Sequence, residues 1–132
     1  MKLMWLLVAV GLLLWSPNAE AGSYLDRAAL LLEGARAERD SAKAHPTDRD
    51  LIELVHAVAR ARTEAARGMH VPKAIESAHP HLLLVMENTE RAFAAALDGN
   101  MTKFAEYVER ARTEDRTFRV LVTKMGYTLP RV

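Results

Sequence analysis

The sequence predicts an all-α protein: an antiparallel up-down-up-down four-helix bundle preceded by a cleavable signal peptide. Three observations carry this expectation. Beyond residue 21 the chain is rich in Ala, Leu, Glu and Arg, the strong helix formers. Its apolar residues recur at three/four spacing in four segments of similar length. Gly and Pro fall mainly between those segments, and no segment shows the apolar/polar alternation of a half-buried strand.

The leader comes first. Lys2 precedes the apolar run Leu3–Trp15, followed by Ser16-Pro17-Asn18 and the small-x-small triplet Ala19-Glu20-Ala21. A basic start, a short apolar middle and such a triplet form a secretory signal, cut after Ala21. The run is shorter than the ~20 residues that cross ~30 Å of hydrocarbon. With no Cys to carry a lipid, no stable membrane anchor is expected after cleavage. Residues 1–21 are thus assigned as signal peptide and 22–132 as one helical domain, located in the periplasm or secreted.

Helix one is expected over Ser23–Ala44, with Ser23 as N-cap and Leu25, Ala28, Leu32, Ala35 and Ala42 inward. His45-Pro46 ends it, because the proline ring disfavours helical geometry at the preceding residue. Helix two is expected over Asp48–Arg67 behind a Thr47 cap, with Leu51, Val55, Val58 and Ala65 aligned and Gly68 as its stop. Val71–Ser77, with Pro72, reads as a short helical connector. Helix three, Ala78–Leu97, places Pro80 in its first turn and carries Leu82, Leu83, Met86, Phe93 and Leu97. Asp98-Gly99-Asn100 separates it from helix four, Met101–Met125, which carries Phe104, Val108, Ala111, Phe118, Val122 and Met125 before Gly126. A faint duplication runs through the chain. Leu30-Leu31-Leu32 with Glu38-Arg39 recurs as Leu82-Leu83-Leu84 with Glu90-Arg91, and Arg60–Glu64 recurs as Arg110–Glu114.

Composition excludes several classes. The formal net charge is +1 and stays there when Lys2 and Glu20 leave with the leader. No long basic block marks a nucleic-acid track. Both tryptophans, Trp5 and Trp15, are in the leader, so an aromatic stacking platform is absent. Zero Cys removes disulfides, thiolate zinc sites and covalent haem attachment. No G-x-S-x-G, H-E-x-x-H, phosphate loop or S-x-x-K occurs, and no enzyme is expected.

Three groups of residues remain as candidates. The topology gathers Tyr24 with Met69, His70, His79, His81, Met125 and Tyr127 at one end. Imidazole and thioether suit Cu or Zn, so Met69, His70, His79 and His81 form a candidate metal site. Caps and core-plugging methionines explain the same residues without a metal. The motifs Glu53-x-x-His56 and Glu76-x-x-His79 resemble the ligand pattern of di-iron bundles, but helical rise puts them at different levels. Finally Glu33, Arg36, His56, Glu90 and Asp115 fall near the core line at similar depth. A register-fixing charge network with Arg36, Arg62 or Arg112 is expected, against a mid-bundle ligand pocket. The arginine faces, Arg60/Arg67 and Arg110/Arg116, interleave with acids as a solvated, salt-bridged exterior. A phosphate or anionic-surface contact is the alternative reading.

The residues identify no family. In outline the architecture is similar to exported bundles such as cytochrome b562, yet helix one has no Met and helix four no His for such a haem. Spy-type chaperones carry L-T-x-x-Q repeats, and none occurs. The leading functional expectation is an exported, non-enzymatic interaction or accessory protein. It would engage another protein, or itself as a homo-oligomer, and no nucleic acid. The alternative is a metal-binding or metal-stress protein using the His/Met end.

Overall fold

Helix α1 begins before the expected cleavage point and runs straight through it. The computed structural model describes residues 17–132, with α1 over Pro17–Ala44. Residues 1–16, most of the expected signal peptide, lie outside the described residues. Ser23 is therefore not an N-cap: it lies exposed inside the helix. Ala21 is fully buried beside Tyr24 and Leu25.

Helix α2 spans Arg49–Arg67. Its cap is Asp48 and not Thr47: the Asp48 carboxylate accepts from the Leu51 N–H at 3.1 Å, the third donor that a cap side chain reaches. The inward face also differs from expectation. Ile52, Val55, Ala59, Thr63 and Ala66 are buried, whereas Leu51 and Val58 are half-buried and Ala65 is exposed. The two stripes share Val55 and elsewhere differ by about one residue, a turn of up to ~100° about the helix axis that brings the small Ala59 and Ala66 to the core.

A single 3-10 turn, Lys73–Ile75, follows Pro72 and drives Ile75 fully into the core. Helix α3 spans His79–Leu97 with Pro80 in its first turn, and α4 spans Met101–Lys124 behind Asn100, whose side chain accepts from the Lys103 N–H. Between them Gly99 has φ +74°. The Asn100 N–H reaches the Ala95 carbonyl at 2.9 Å and the Gly99 N–H reaches Ala96 at 3.0 Å. That is a Schellman closure, which needs a left-handed residue where Gly99 stands. Gly126, φ +88°, ends α4 the same way.

The described residues are thus all-α: four helices and no strand. None of these helices is long and apolar enough to cross a membrane. Two core clusters define the helix directions. One joins Tyr24 and Leu25 early in α1, Ala66 late in α2, Leu82 early in α3 and Phe118 and Val122 late in α4. The other joins Ala42 late in α1, Ile52 early in α2, Phe93 late in α3 and Phe104 early in α4. Each helix therefore runs opposite to the one before it. The faint duplication does not survive as packing: Leu32 is buried where Leu84 is half-buried, and Leu30 is exposed where Leu82 is buried.

Gly34 lies on α1 where Arg62 of α2 crosses it. A Cβ there would overlap the Arg62 guanidinium, which is held by Glu38 at 2.7 Å. Gly→Ala inside a helix ordinarily gains about 1 kcal/mol. That gain is expected to be missing for Gly34→Ala in the native protein and to return in an Arg62→Ala background, read from urea midpoints. Equal gains in both backgrounds would separate Gly34 from the ion pair.

Candidate functional site

Helix α1 leans on α2 and α3, and α3 runs along α4, but the backbones of α1 and α4 scarcely approach each other. A cleft of about 630 Å³ opens between them. Its α1 wall carries Glu33, Arg36, Arg39, Asp40 and Lys43. Its α4 wall carries Val108, Arg112, Asp115, Arg116 and Arg119. The helices are antiparallel here, so Glu33 meets Arg119 at 3.3 Å and later α1 residues face earlier α4 residues.

The carboxylates of the cleft are held in ion pairs. Arg119 bonds both Glu33 and the buried Asp115, and Glu33 also accepts from Arg36. The Arg36 hydrogen bond, with the Arg119 charge behind it, holds the Glu33 carboxyl below its ordinary value. Asp40 turns toward Arg36 at 3.8 Å. Above this knot Leu129, Pro130, Arg131 and Val132 of the C-terminal segment line a second crevice with Ala29, Glu33 and Arg119.

The lining as a whole carries an excess of cations. It holds Arg36, Arg39, Lys43, Arg112, Arg116 and Arg119 against Glu33, Asp40 and Asp115, and the exposed Glu109 stands beside it. Glu109 approaches Arg112 at 3.5 Å and Arg116 at 3.8 Å. Neither Arg39 nor Lys43 has an acidic partner within 4.0 Å among the described residues.

Arg39 is the unusual member. It is 2% exposed, and one of its nitrogens, Nη1, donates to the Thr89 hydroxyl of α3 at 2.7 Å. Thr89 in turn donates to the Val85 carbonyl at 2.7 Å. The hydroxyl oxygen is therefore an acceptor fixed in place, and the guanidinium is fixed with it. Burial pulls the Arg39 pKa down. The Asp115 and Asp40 charges work against this, while those of Arg112 and Arg36 add to it. No buried side-chain N or O lacks a partner among the described residues, so the remaining guanidinium nitrogens keep access to the cleft. A desolvated cation with no carboxylate in contact is costly, and an anion in the cleft would relieve that cost.

The expected His/Met end is assembled only in part. Met69 and Met125 pack on the same core cluster as Tyr24, with Tyr127. The histidines do not converge. The His79 Nδ1 bonds the Tyr24 hydroxyl at 2.8 Å, and the His81 Nδ1 bonds Glu114 of α4 at 2.6 Å. His70 is exposed. Among the described residues no three His, Asp or Glu side chains are placed to hold a metal ion. Glu53 is exposed and paired with Arg49 within its own helix, far from Glu76 in the connector.

The Tyr24–His79 bond has a pH consequence. Burial pulls the His79 pKa below its ordinary 6.5, against a smaller upward pull from the Ala66 backbone, and raises the Tyr24 phenol above its ordinary range. The native state therefore prefers neutral His79. Its contribution is complete above pH 6.5 and declines as pH falls from there through the lower native value. Unfolding midpoints at pH 7.5 and 5.5 are expected to differ less in His79→Gln than in the native protein, and equal differences would refute the assignment.

The mid-depth charge network is present with different partners from those expected. Asp115 pairs with Arg119, Arg62 with Glu38, and Glu90 accepts from the Thr63 hydroxyl. Sequence reasoning missed Arg39. The signal was there: Arg39 continues the Leu32, Ala35 and Ala42 stripe at three/four spacing, a cation at a core position. Compared with known proteins, the chain matches no family model, no curated protein and no solved structure.

Proposed function

We propose that the protein is an exported, non-enzymatic binding module: an up-down-up-down bundle, freed from its leader after Ala21, that works through the cation-rich α1/α4 cleft. The observation that carries this reading is Arg39, a buried guanidinium anchored by Thr89 and with no carboxylate within 4.0 Å among the described residues. Arg112, Arg116 and Lys43 extend the same charge along both walls. An anionic group of a partner completes the set. The leader supports export, and its removal leaves Tyr24, Leu25 and Leu32, the main α1 core anchors, in the chain.

Two measurements test this. Expressed with its full leader, the protein is expected outside the cytoplasm with a mass that begins at Gly22; a cytoplasmic protein still carrying Met1 would refute export. Retention on a phosphate-bearing cation exchanger is expected to fall more for Lys43→Gln with Arg112→Gln and Arg116→Gln than for Arg49→Gln with Arg60→Gln and Arg67→Gln. The second set removes equal charge from exposed α2 positions. Equal losses would reduce the cleft to ordinary surface charge.

A further inference from the structure

We infer that the cleft recognises a small molecule bearing two phosphoryl groups, an inference that rests on the anion-binding reading above. Four features argue for this chemistry. The cleft lining sets six cations against three carboxylates, with Glu109 beside it. A monocarboxylate leaves most of that excess uncompensated, whereas each phosphoryl group carries up to about −2 at neutral pH. Five of the six cations are arginines, whose planar forks match tetrahedral oxyanions with paired hydrogen bonds.

The charges also come in two levels. Arg36 and Arg39 are three residues apart on α1, and Arg112 and Arg116 four apart on α4. Helical rise separates the levels by ~5 Å. Counted from the Glu33–Arg119 contact, Arg36 faces Arg116 and Arg39 faces Arg112, so one phosphoryl group can take cations from both walls at each level. At one level a donor is held before the ligand arrives: Thr89 orients Arg39, so little side-chain freedom is lost on binding.

The cleft's extent decides size. At one end the Glu33–Arg119 contact bridges the two walls, and the C-terminal segment lies beyond it. A polymer following the groove would meet that bridge. The volume of about 630 Å³ lies within the range of small-molecule sites. A short ligand fits, and a nucleic-acid strand does not.

The experiment is calorimetric titration of the full mature protein at low salt, with inorganic pyrophosphate, inorganic phosphate and an oligoglutamate peptide as separate probes. Pyrophosphate is expected to bind, and phosphate more weakly. Arg39→Met, and separately Arg112→Gln with Arg116→Gln, is expected to weaken pyrophosphate by about tenfold or more, the cost of losing a charge-assisted hydrogen bond. Glu109→Gln is expected to tighten it by removing the competing carboxylate. Circular dichroism of each variant separates lost binding from lost folding. If oligoglutamate binds with the same Arg39 dependence and pyrophosphate does not, the phosphoryl assignment falls and the anion cleft stands. If no probe binds, or binding ignores both arginine variants, both readings fall.

Discussion

Truncating Phe118 to Ala is expected to remove about 3–5 kcal/mol of unfolding free energy. Phe118 is fully buried on α4, in the cluster that holds early α1, late α2 and early α3. Its cluster includes Leu32 of α1 and Leu82 and Val85 of α3, each fully buried. These lie on two other helices, so collapse around the void would require moving whole helices. The cavity term therefore adds to the lost transfer term. A domain of this size has about 5–15 kcal/mol in all, so one substitution consumes a large share. Phe93→Ala, in the other cluster, is expected to cost a similar amount. Because the two rings belong to separate clusters, the losses should add, and the double variant should be largely unfolded at room temperature. Denaturant unfolding of the three variants checks this. A loss within the ~0.5 kcal/mol of a surface substitution would contradict the placement of either ring.

Arg39→Met and Asp115→Leu are expected to change stability in opposite directions, although each deletes one charge from the same cleft. The guanidinium of Arg39 is buried with one hydrogen bond and no carboxylate in contact. Its desolvation is poorly offset, and by the reasoning for buried charges an apolar side chain of similar length is neutral or better by about 1–3 kcal/mol. Thr89 does not suffer, because its hydroxyl still donates to the Val85 carbonyl. Asp115 differs. Its carboxylate takes the Arg119 bond and supplies the largest attraction that Arg39 feels. Leucine there leaves both cations less compensated, so the protein should lose stability. The loss should stay below the ~3–5 kcal/mol of a fully buried pair, since Arg119 is partly exposed and keeps Glu33. Paired unfolding curves at one ionic strength read both signs. A large destabilisation by Arg39→Met would make Arg39 a structural tie between α1 and α3, and would remove the reason for a ligand beside it. Stabilisation together with loss of pyrophosphate binding is the signature of a residue retained for function at the expense of the fold.

How far the chain could be read varies by element. Helices α3 and α4 were legible almost to the residue. Their ends carry backbone signals: Pro80 in a first turn, Asn100 as a cap, Gly99 and Gly126 in left-handed closures. Their large residues, Phe93, Phe104, Phe118 and Val122, leave little doubt about the inward face. Helix α2 was harder. Its buried stripe is partly Ala59, Thr63 and Ala66, while Leu54 is 62% exposed. Hydropathy alone cannot weigh alanine against leucine when the neighbouring helix decides how much room there is. Helix α1 extends before the expected Ser23 cap, where Ala21 joins Tyr24 and Leu25 in the core cluster.

The candidate site shows the same division. Periodicity and turn chemistry by themselves determined an all-α chain, its four helices and their links, because those depend on local backbone preference and on spacing within one segment. They also marked Asp115 as a polar residue at core depth. Only the tertiary structure decided that His79 and His81 turn to different partners, that α1 stands off from α4, and that Arg39 is buried there with no carboxylate in contact among the described residues. Those facts are relations between residues far apart in sequence. Burial and charge compensation are set by what the other helices bring near, and no single segment carries that information.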